Sequence, residues 1–592
     1  MDRRRFLRAT SLAGGVLLLP ELGTAPARAT PGTRLPHADD RLYRTPIADP
    51  GAIPRFVNEL PRPTRVNLLN GGDRTLVMGP ALQDVLGGGP GLRTPVWGFG
   101  QAGTARRRGG AGGAPVTWPG PTLVARKHRP VRIRWVNALP FEHMLPVDTT
   151  IHWAYSHTDR TIADHGVPTV VHLHGGHTCP EDDGHPDAWY TPAGVTGPRF
   201  ARTRFHYGND QEAATLWYHD HTMGLTRLNV YAGLAGFYLL RDDRELALIE
   251  QNRLPRGPYE LELMIQDRMF HPDGRLAYPD VPASSPLWQG GPSVQHEFFG
   301  RVITVNGRAW PYVEVEPRQY RLRLLNASNS RFYRLSVGGG WPFPATWIGA
   351  DGGFLHKPHR LDGPLVLSPG ERADLVVDFR DLRGAVLELG NDAPTPFPKG
   401  APAAPPTDKV LQFRVTRPYD RKVAEPLLPG AFREAPYRVA GSPARTRRLL
   451  LLDGRDGFGR PKPRLGTVER GALGWNDPVT EDPRLNTSEV WEVFNATYET
   501  HPVHLHLAHF QVLGRAPFTA TRDPRTGALS DISVGRTQPP DPGETGPKDT
   551  VLAPPGQVTR IKAHFDKCGL YVWHCHILEH EEHEMMRNYR VV

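Results

Sequence analysis

Four short histidine pairs share one spacing: His172-Leu173-His174, His219-Asp220-His221, His504-Leu505-His506 and His574-Cys575-His576. Residues i and i+2 of a β-strand point to the same face, so each pair presents two imidazoles to a common centre. One such pair among 26 histidines would be incidental, but two early and two late in a chain of 592 residues call for a shared purpose. The eight imidazoles suit a three-metal cluster, two metals with three ligands each and one with two. Imidazole serves copper, zinc, iron or nickel, so the count does not choose the metal. Cys575 does. It lies between His574 and His576 and points to the opposite face of their strand. His501, three residues before His504, has opposite parity to the His504/His506 pair, and His580 and Met585 follow Cys575 by five and ten residues. A thiolate, two imidazoles and a thioether are the ligand set of a blue-copper electron-transfer site. The spacing thus predicts a mononuclear site on one side of the strand and the cluster on the other, joined through the peptide bonds beside Cys575.

Such strands need a β-rich framework. Alternating runs recur, as in Val131-Arg132-Ile133-Arg134-Trp135-Val136, Tyr320-Arg321-Leu322-Arg323 and Val490-Trp491-Glu492-Val493-Phe494, between turns supplied by 62 Gly and 61 Pro. Helical patterns are scarce, so the expectation is an all-β chain of sandwiches. The Gly/Arg-rich stretch 103–115 reads as an exposed loop, lacking the Lys-Ser/Thr that a phosphate cradle requires. Pro-rich passages at 401–406 and 417–436 mark junctions. We expect domains at 35–243, 244–417 and 445–592, with 418–444 as linker.

The formal charge is +9, but residues 1–29 hold five Arg and two acids, so the remainder carries +9 − 3 = +6. Spread over the rest of the chain, that surplus reads as a solvated surface rather than a nucleic-acid site. Arg3-Arg4 with Phe6-Leu7, a weakly apolar stretch and Ala27-Arg28-Ala29 resemble a twin-arginine export signal over 1–29. The expectation is export, with the twin-arginine machinery as partner of the precursor and no membrane insertion of the mature chain. Three cysteines, Cys179, Cys568 and Cys575, allow at most one bridge.

The motifs His501-Pro502-Val503-His504-Leu505-His506 and His574-Cys575-His576-Ile577-Leu578-Glu579-His580, preceded by His172-Leu173-His174-Gly175 and Trp217-Tyr218-His219-Asp220-His221, resemble those of multicopper oxidases. The similarity leans toward the spore-coat laccase and phenoxazinone synthase branch, through Val305-Asn306-Gly307, Trp310-Pro311 and Glu584-Met585-Met586-Arg587. The resemblance implies three cupredoxin-like Greek-key β-sandwich domains and four coppers per chain. Type 1 copper would take His501, Cys575 and His580 with Met585 axial. Type 2 would take His172 and His504, and the type 3 pair His174, His219, His221, His506, His574 and His576. The implied reaction passes electrons from a small organic reductant, phenolic or aminophenolic, through an exposed type 1 histidine edge to dioxygen. The middle domain would be a spacer and a wall of the substrate site. A cuprous-ion oxidase, a nitrite reductase and a copper-binding coat protein without turnover are the rival readings.

Two carboxylates align with proton-relay positions of the family, Asp183 and Glu581. Each stands in an acidic run (Glu181-Asp182-Asp183; Glu581-Glu582), the pattern of a solvated surface. Cys179 and Cys568 each lie a few residues from a copper motif, which leaves open a disulfide clamping the first and third domains or a pair of free buried thiols.

Overall fold

A computed structural model of the chain describes residues 42–88, 92–102, 115–280 and 294–592. The twin-arginine stretch, and all but the last residue of the loop 103–115, lie outside the described residues. Apart from a two-stranded ribbon of Pro394–Thr395 and Ala401–Pro402, the strands of the described residues form three successive pairs of sheets. The first pairs a five-stranded sheet, running from Arg65–Leu68 to Val171–His174, with a four-stranded one built on Gly72–Gln83 and Val131–Asn137. The second pairs an eight-stranded sheet centred on Glu260–Phe270 and Gln319–Asn326 with a five-stranded one that runs from Tyr312–Glu314 to Leu365–Leu367. The third pairs a seven-stranded sheet centred on Thr487–Asn495 with a four-stranded sheet that holds His501–Leu505 and Gly569–Cys575. Parallel crossovers such as Pro443–Leu452 on Thr487–Asn495 sit among antiparallel neighbours, the mixed pairing of cupredoxin-like sandwiches.

Alternation does what the sequence asks where one face meets water. Val131–Asn137 buries Val131, Ile133 and Trp135 and exposes Arg132 and Arg134. In Gln319–Asn326 the same pattern is buried on both faces. Arg321 and Arg323 there bond Asp374 and Glu245 at 2.5–2.6 Å, and Arg323 also meets Glu260 at 3.0 Å. Buried guanidiniums persist because each is paired and hydrogen-bonded. The strands Val171–His174 and Ala214–Asp220 are buried throughout: one face packs on their own core, and the other carries the histidines.

Candidate metal centre

Antiparallel pairing sets His172 opposite His219 and His504 opposite His574. His221, His506 and His576 lie just beyond their strand ends, yet all eight imidazoles are buried in one place. The first and third sandwiches interleave there: His172 stacks on His506 at 3.8 Å and His174 on His504 at 3.7 Å between ring centroids. Burial, reinforced by the neighbouring imidazoles, holds His172, His174, His221, His504, His506 and His576 well below the usual histidine range. Burial brings His219 down to about 3. These rings are therefore neutral near pH 7, each with one lone pair to give.

The hydrogen bonds choose which nitrogen that is. His172 Nδ1 donates to the Asp183 carbonyl at 2.5 Å and His504 Nδ1 to the Asp549 carbonyl at 2.8 Å, leaving both Nε2 atoms buried without a partner. His219 Nδ1 donates to the Asp220 carbonyl at 2.7 Å and leaves its Nε2 in the same condition. His574 Nε2 lies 3.3 Å from His506 Nε2 and 3.4 Å from His221 Nε2, and His174 Nδ1 lies 3.2 Å from His576 Nε2. Donor atoms of His172, His504 and His506, of His174, His219 and His576, and of His221, His506 and His574 fall within 4.8 Å of one another in each trio. Lone pairs crowded this closely repel unless a cation lies among them, and imidazole nitrogen suits copper. The donor set fits the metal.

The other face of the strand is a different environment. Cys575 Sγ faces His501 Nδ1 at 3.5 Å and His580 Nδ1 at 3.8 Å. Thr497 Oγ1 holds His501 Nε2 at 2.8 Å, which fixes the ring. Met585 is fully buried in the apolar cluster that contains Cys575 and Ile577. Its backbone ties it to both neighbours, with Met585 N donating to the His580 carbonyl at 2.9 Å and Cys575 N to the Met585 carbonyl at 3.0 Å. Burial raises the Cys575 thiol well above its ordinary value, so a thiolate here needs a cation beside it.

Asp183 and Glu581 are not surface groups: their exposures are 2 % and 1 %. Asp183 Oδ2 accepts from His506 Nδ1 at 2.7 Å, and its Oδ1 accepts from Thr178 Oγ1 at 2.6 Å. Burial pushes the Asp183 carboxyl up to about 7. Glu581 Oε2 lies 3.0 Å from His574 Nδ1 and Oε1 3.7 Å from His221 Nε2, and both oxygens lack a hydrogen-bonded partner.

The type 1 histidine edge expected to be exposed is instead buried. Neither type 1 candidate offers an exposed edge, with His501 at 0 % and His580 at 1 % exposure. The second sandwich covers His580: the His296 ring lies 4.8 Å from it and in turn bonds Glu499 at 2.9 Å. Sequence reasoning also missed Asp549, which bonds His174 Nε2 at 3.0 Å, and Asp220, which braces Thr169 and Thr222 beneath the His219/His221 pair. A single acid next to a threonine carries no periodic signal that would have marked Asp549. Two histidines outside the copper motifs do structural work. His177 meets Asp566 and His185 meets Asn588, each at 2.8 Å, tying the first sandwich to the third. Cys179 and Cys568 are free and exposed, although Gly569 packs directly on Pro180.

Two family models for multicopper oxidases match, one over residues 167–245 and the other over 459–592, the two stretches that hold the four histidine pairs. A laccase of Bacillus subtilis (strain 168) is 44% identical over 473 residues, covering 79% of this chain and 88% of the laccase. The chain belongs to the multicopper oxidases. Multicopper oxidase LPR1 of Arabidopsis thaliana is 35% identical, with 84% of this chain and 85% of LPR1 covered. Among solved structures, the McoA multicopper oxidase of Aquifex aeolicus superposes with a TM-score of 0.67 at 26% identity, covering 90% of this chain and 99% of that one. This multicopper oxidase is accordingly a copper-binding oxidoreductase that uses dioxygen, built on cupredoxin-like sandwiches.

Proposed function

We propose that this oxidase is laccase-like and holds four coppers, one at His501, Cys575, His580 and Met585 and three among the eight paired histidines. The observation that carries the reading is the single peptide unit on either side of Cys575, which links the thiolate environment to two cluster imidazoles. Copper bound in these sites supplies one-electron acceptance from a reductant and reduction of dioxygen to water. The protein's own residues do the rest. Cys575 provides the short covalent path, and the hydrogen bonds to Asp183, Asp549 and Thr497 keep the imidazoles in place. Phenols and aminophenols are the proposed reductants. Export through the twin-arginine pathway is proposed for residues 1–29.

The test is a copper count with visible and electron-paramagnetic-resonance spectra, followed by oxygen uptake with a phenolic dye. About four coppers, a blue colour and uptake support the reading. A blue protein with only about two coppers would end it.

Met585→Leu is expected to raise the type 1 potential, because removing a weak thioether favours the reduced ion. A redox titration reads the change, and an unmoved potential removes Met585 from the site. Asp183 and Glu581, buried against cluster imidazoles, are placed to deliver the protons that water formation consumes. Asp183→Asn and Glu581→Gln should each slow oxygen reduction by about 100-fold, with unaltered copper content. Stopped-flow reoxidation checks this, and full rates in both variants would eliminate the role.

A second reductant class is favoured by one arrangement. Glu499 is buried beside His580, its Oε2 lying 3.9 Å from His580 Nε2, and His296 and Glu297 stand next to it. Burial, with Glu499 and Glu579 nearby, holds the Glu297 carboxyl well above its usual range. A small cation can take the place of the carboxyl proton between Glu297 and Glu499, so ferrous or cuprous ions are alternative electron donors. Glu499→Gln should slow oxygen uptake with these ions and spare the phenolic dye; equal slowing of both would dismiss this reading.

A further inference from the structure

Arg372 belongs to the second sandwich, yet its side chain ends beside the histidine cluster and is entirely buried. All five of its guanidinium N–H groups are used. Nε donates to the Thr215 carbonyl at 2.8 Å, Nη1 to the Gly370 carbonyl at 2.9 Å, and Nη2 to the Asp351 carbonyl at 3.1 Å. The two remaining donors grip the Asp549 carboxylate, Nη1 on Oδ1 at 2.7 Å and Nη2 on Oδ2. One side chain therefore fastens a histidine-bearing strand of the first sandwich, a turn of the second and a loop of the third. Asp549 passes the constraint on. Its Oδ1 faces His174 Nε2 at 3.0 Å and Thr550 Oγ1 at 3.0 Å, and its carbonyl takes His504 Nδ1 at 2.8 Å.

Gly370, two residues before Arg372, touches the cluster by contact alone. A Cβ placed on it would lie 2.8 Å from His576 Cδ2 and 2.9 Å from Cγ, and its φ of +82° suits glycine. Gly175, directly after His174, is constrained likewise: its Cβ would fall 2.5 Å from Asp549 Oδ2 and 2.7 Å from Arg372 Nη2. The backbone is bare where the guanidinium must pass.

We propose that Arg372 and Gly370 make the second sandwich a positioning element of the trinuclear copper site, rather than only a spacer. Arg372 fixes the Asp549 carboxylate so that His174 donates from Nε2 and turns Nδ1 toward His576, while Gly370 sets the plane of the His576 ring. The proposal rests on the eight-histidine copper reading. Lysine is the conservative replacement: it keeps the charge but is a compact ammonium, not a planar fork that meets both carboxylate oxygens.

The experiment is copper loading of full-length wild type, Arg372→Lys, Arg372→Met and Gly370→Ala. Copper per chain, the type 1 absorption and the type 2 electron-paramagnetic-resonance signal are followed during dialysis against graded chelator. Expected is an intact blue band in every variant, with cluster copper lost at roughly 10- to 100-fold weaker chelation and a changed type 2 signal. The effect should be larger for Met than for Lys. Because the blue band reports the folded third sandwich, it separates this loss from general misfolding. If Arg372→Met fails to fold, Arg372→Lys and Gly370→Ala decide the matter. Wild-type copper retention and an unchanged type 2 signal in those two variants overturn the proposal, whatever happens to thermal stability. A wild-type protein with no cluster copper at all refutes instead the reading on which the proposal rests.

Discussion

Cys575→Ser is expected to give a colourless protein that keeps its cluster copper and loses turnover. The thiolate is the group that marks the mononuclear site as blue copper, since imidazoles and a thioether alone give neither the colour nor the tight, electron-transferring geometry. In the fold, Cys575 Sγ is the atom that both His501 Nδ1 and His580 Nδ1 face. The hydroxyl of serine is a poor ligand for the same ion, and the site is too buried for water to replace it freely. His574 and His576 point to the other side of the strand and keep their contacts, so the copper count should fall by one and not by four. Turnover should fall well beyond the roughly 10- to 100-fold expected for losing an outer hydrogen-bond partner. Absorption, copper analysis and steady-state oxygen uptake on one preparation check all three points. A variant that stays blue would place the type 1 site elsewhere.

The copper-free protein is expected to lose stability steeply as pH falls below about 6.5, the unperturbed histidine value. Seven of the paired histidines, His172, His174, His219, His221, His504, His506 and His576, are held neutral chiefly by burial. The same burial depresses His501 to about 3 and His580 well below its ordinary value. With folded values lowered, the unfolded chain binds more protons below about 6.5, so stability rises with pH across the window from about 3 to about 6.5. Each such imidazole contributes up to about 1.4 kcal/mol per pH unit in that window. Acting together they rival the ~5–15 kcal/mol that holds a typical domain folded. Bound copper should blunt the effect, because a metal on the lone pair competes with the proton. Urea unfolding of apo and loaded protein at pH 7.5 and 5.5 makes the comparison. An apo midpoint that does not fall at the lower pH would show that the paired imidazoles are already protonated in the fold.

The local spacing of a few residues determined the chemistry of this oxidase. The four His-x-His pairs and the parity of Cys575 and His501 are properties of neighbouring residues on a strand, and strand geometry is the same wherever the strand ends up. The alternating runs likewise announced β-sandwiches, because burying one face of a sheet leaves a period of two in the chain. Contacts between distant segments decided what such patterns cannot encode. Asp183 and Glu581 sit in acidic runs that read as surface, yet the meeting of the first and third sandwiches buries both. The family resemblance implies an exposed type 1 histidine edge, but His296, from nearly three hundred residues earlier in the chain, lies over His580. Arg372 looks like any strand arginine until Asp549, 177 residues away, takes its two free donors. Periodicity records which face of an element is buried, and only the packing of whole sandwiches supplies the partner on the other side.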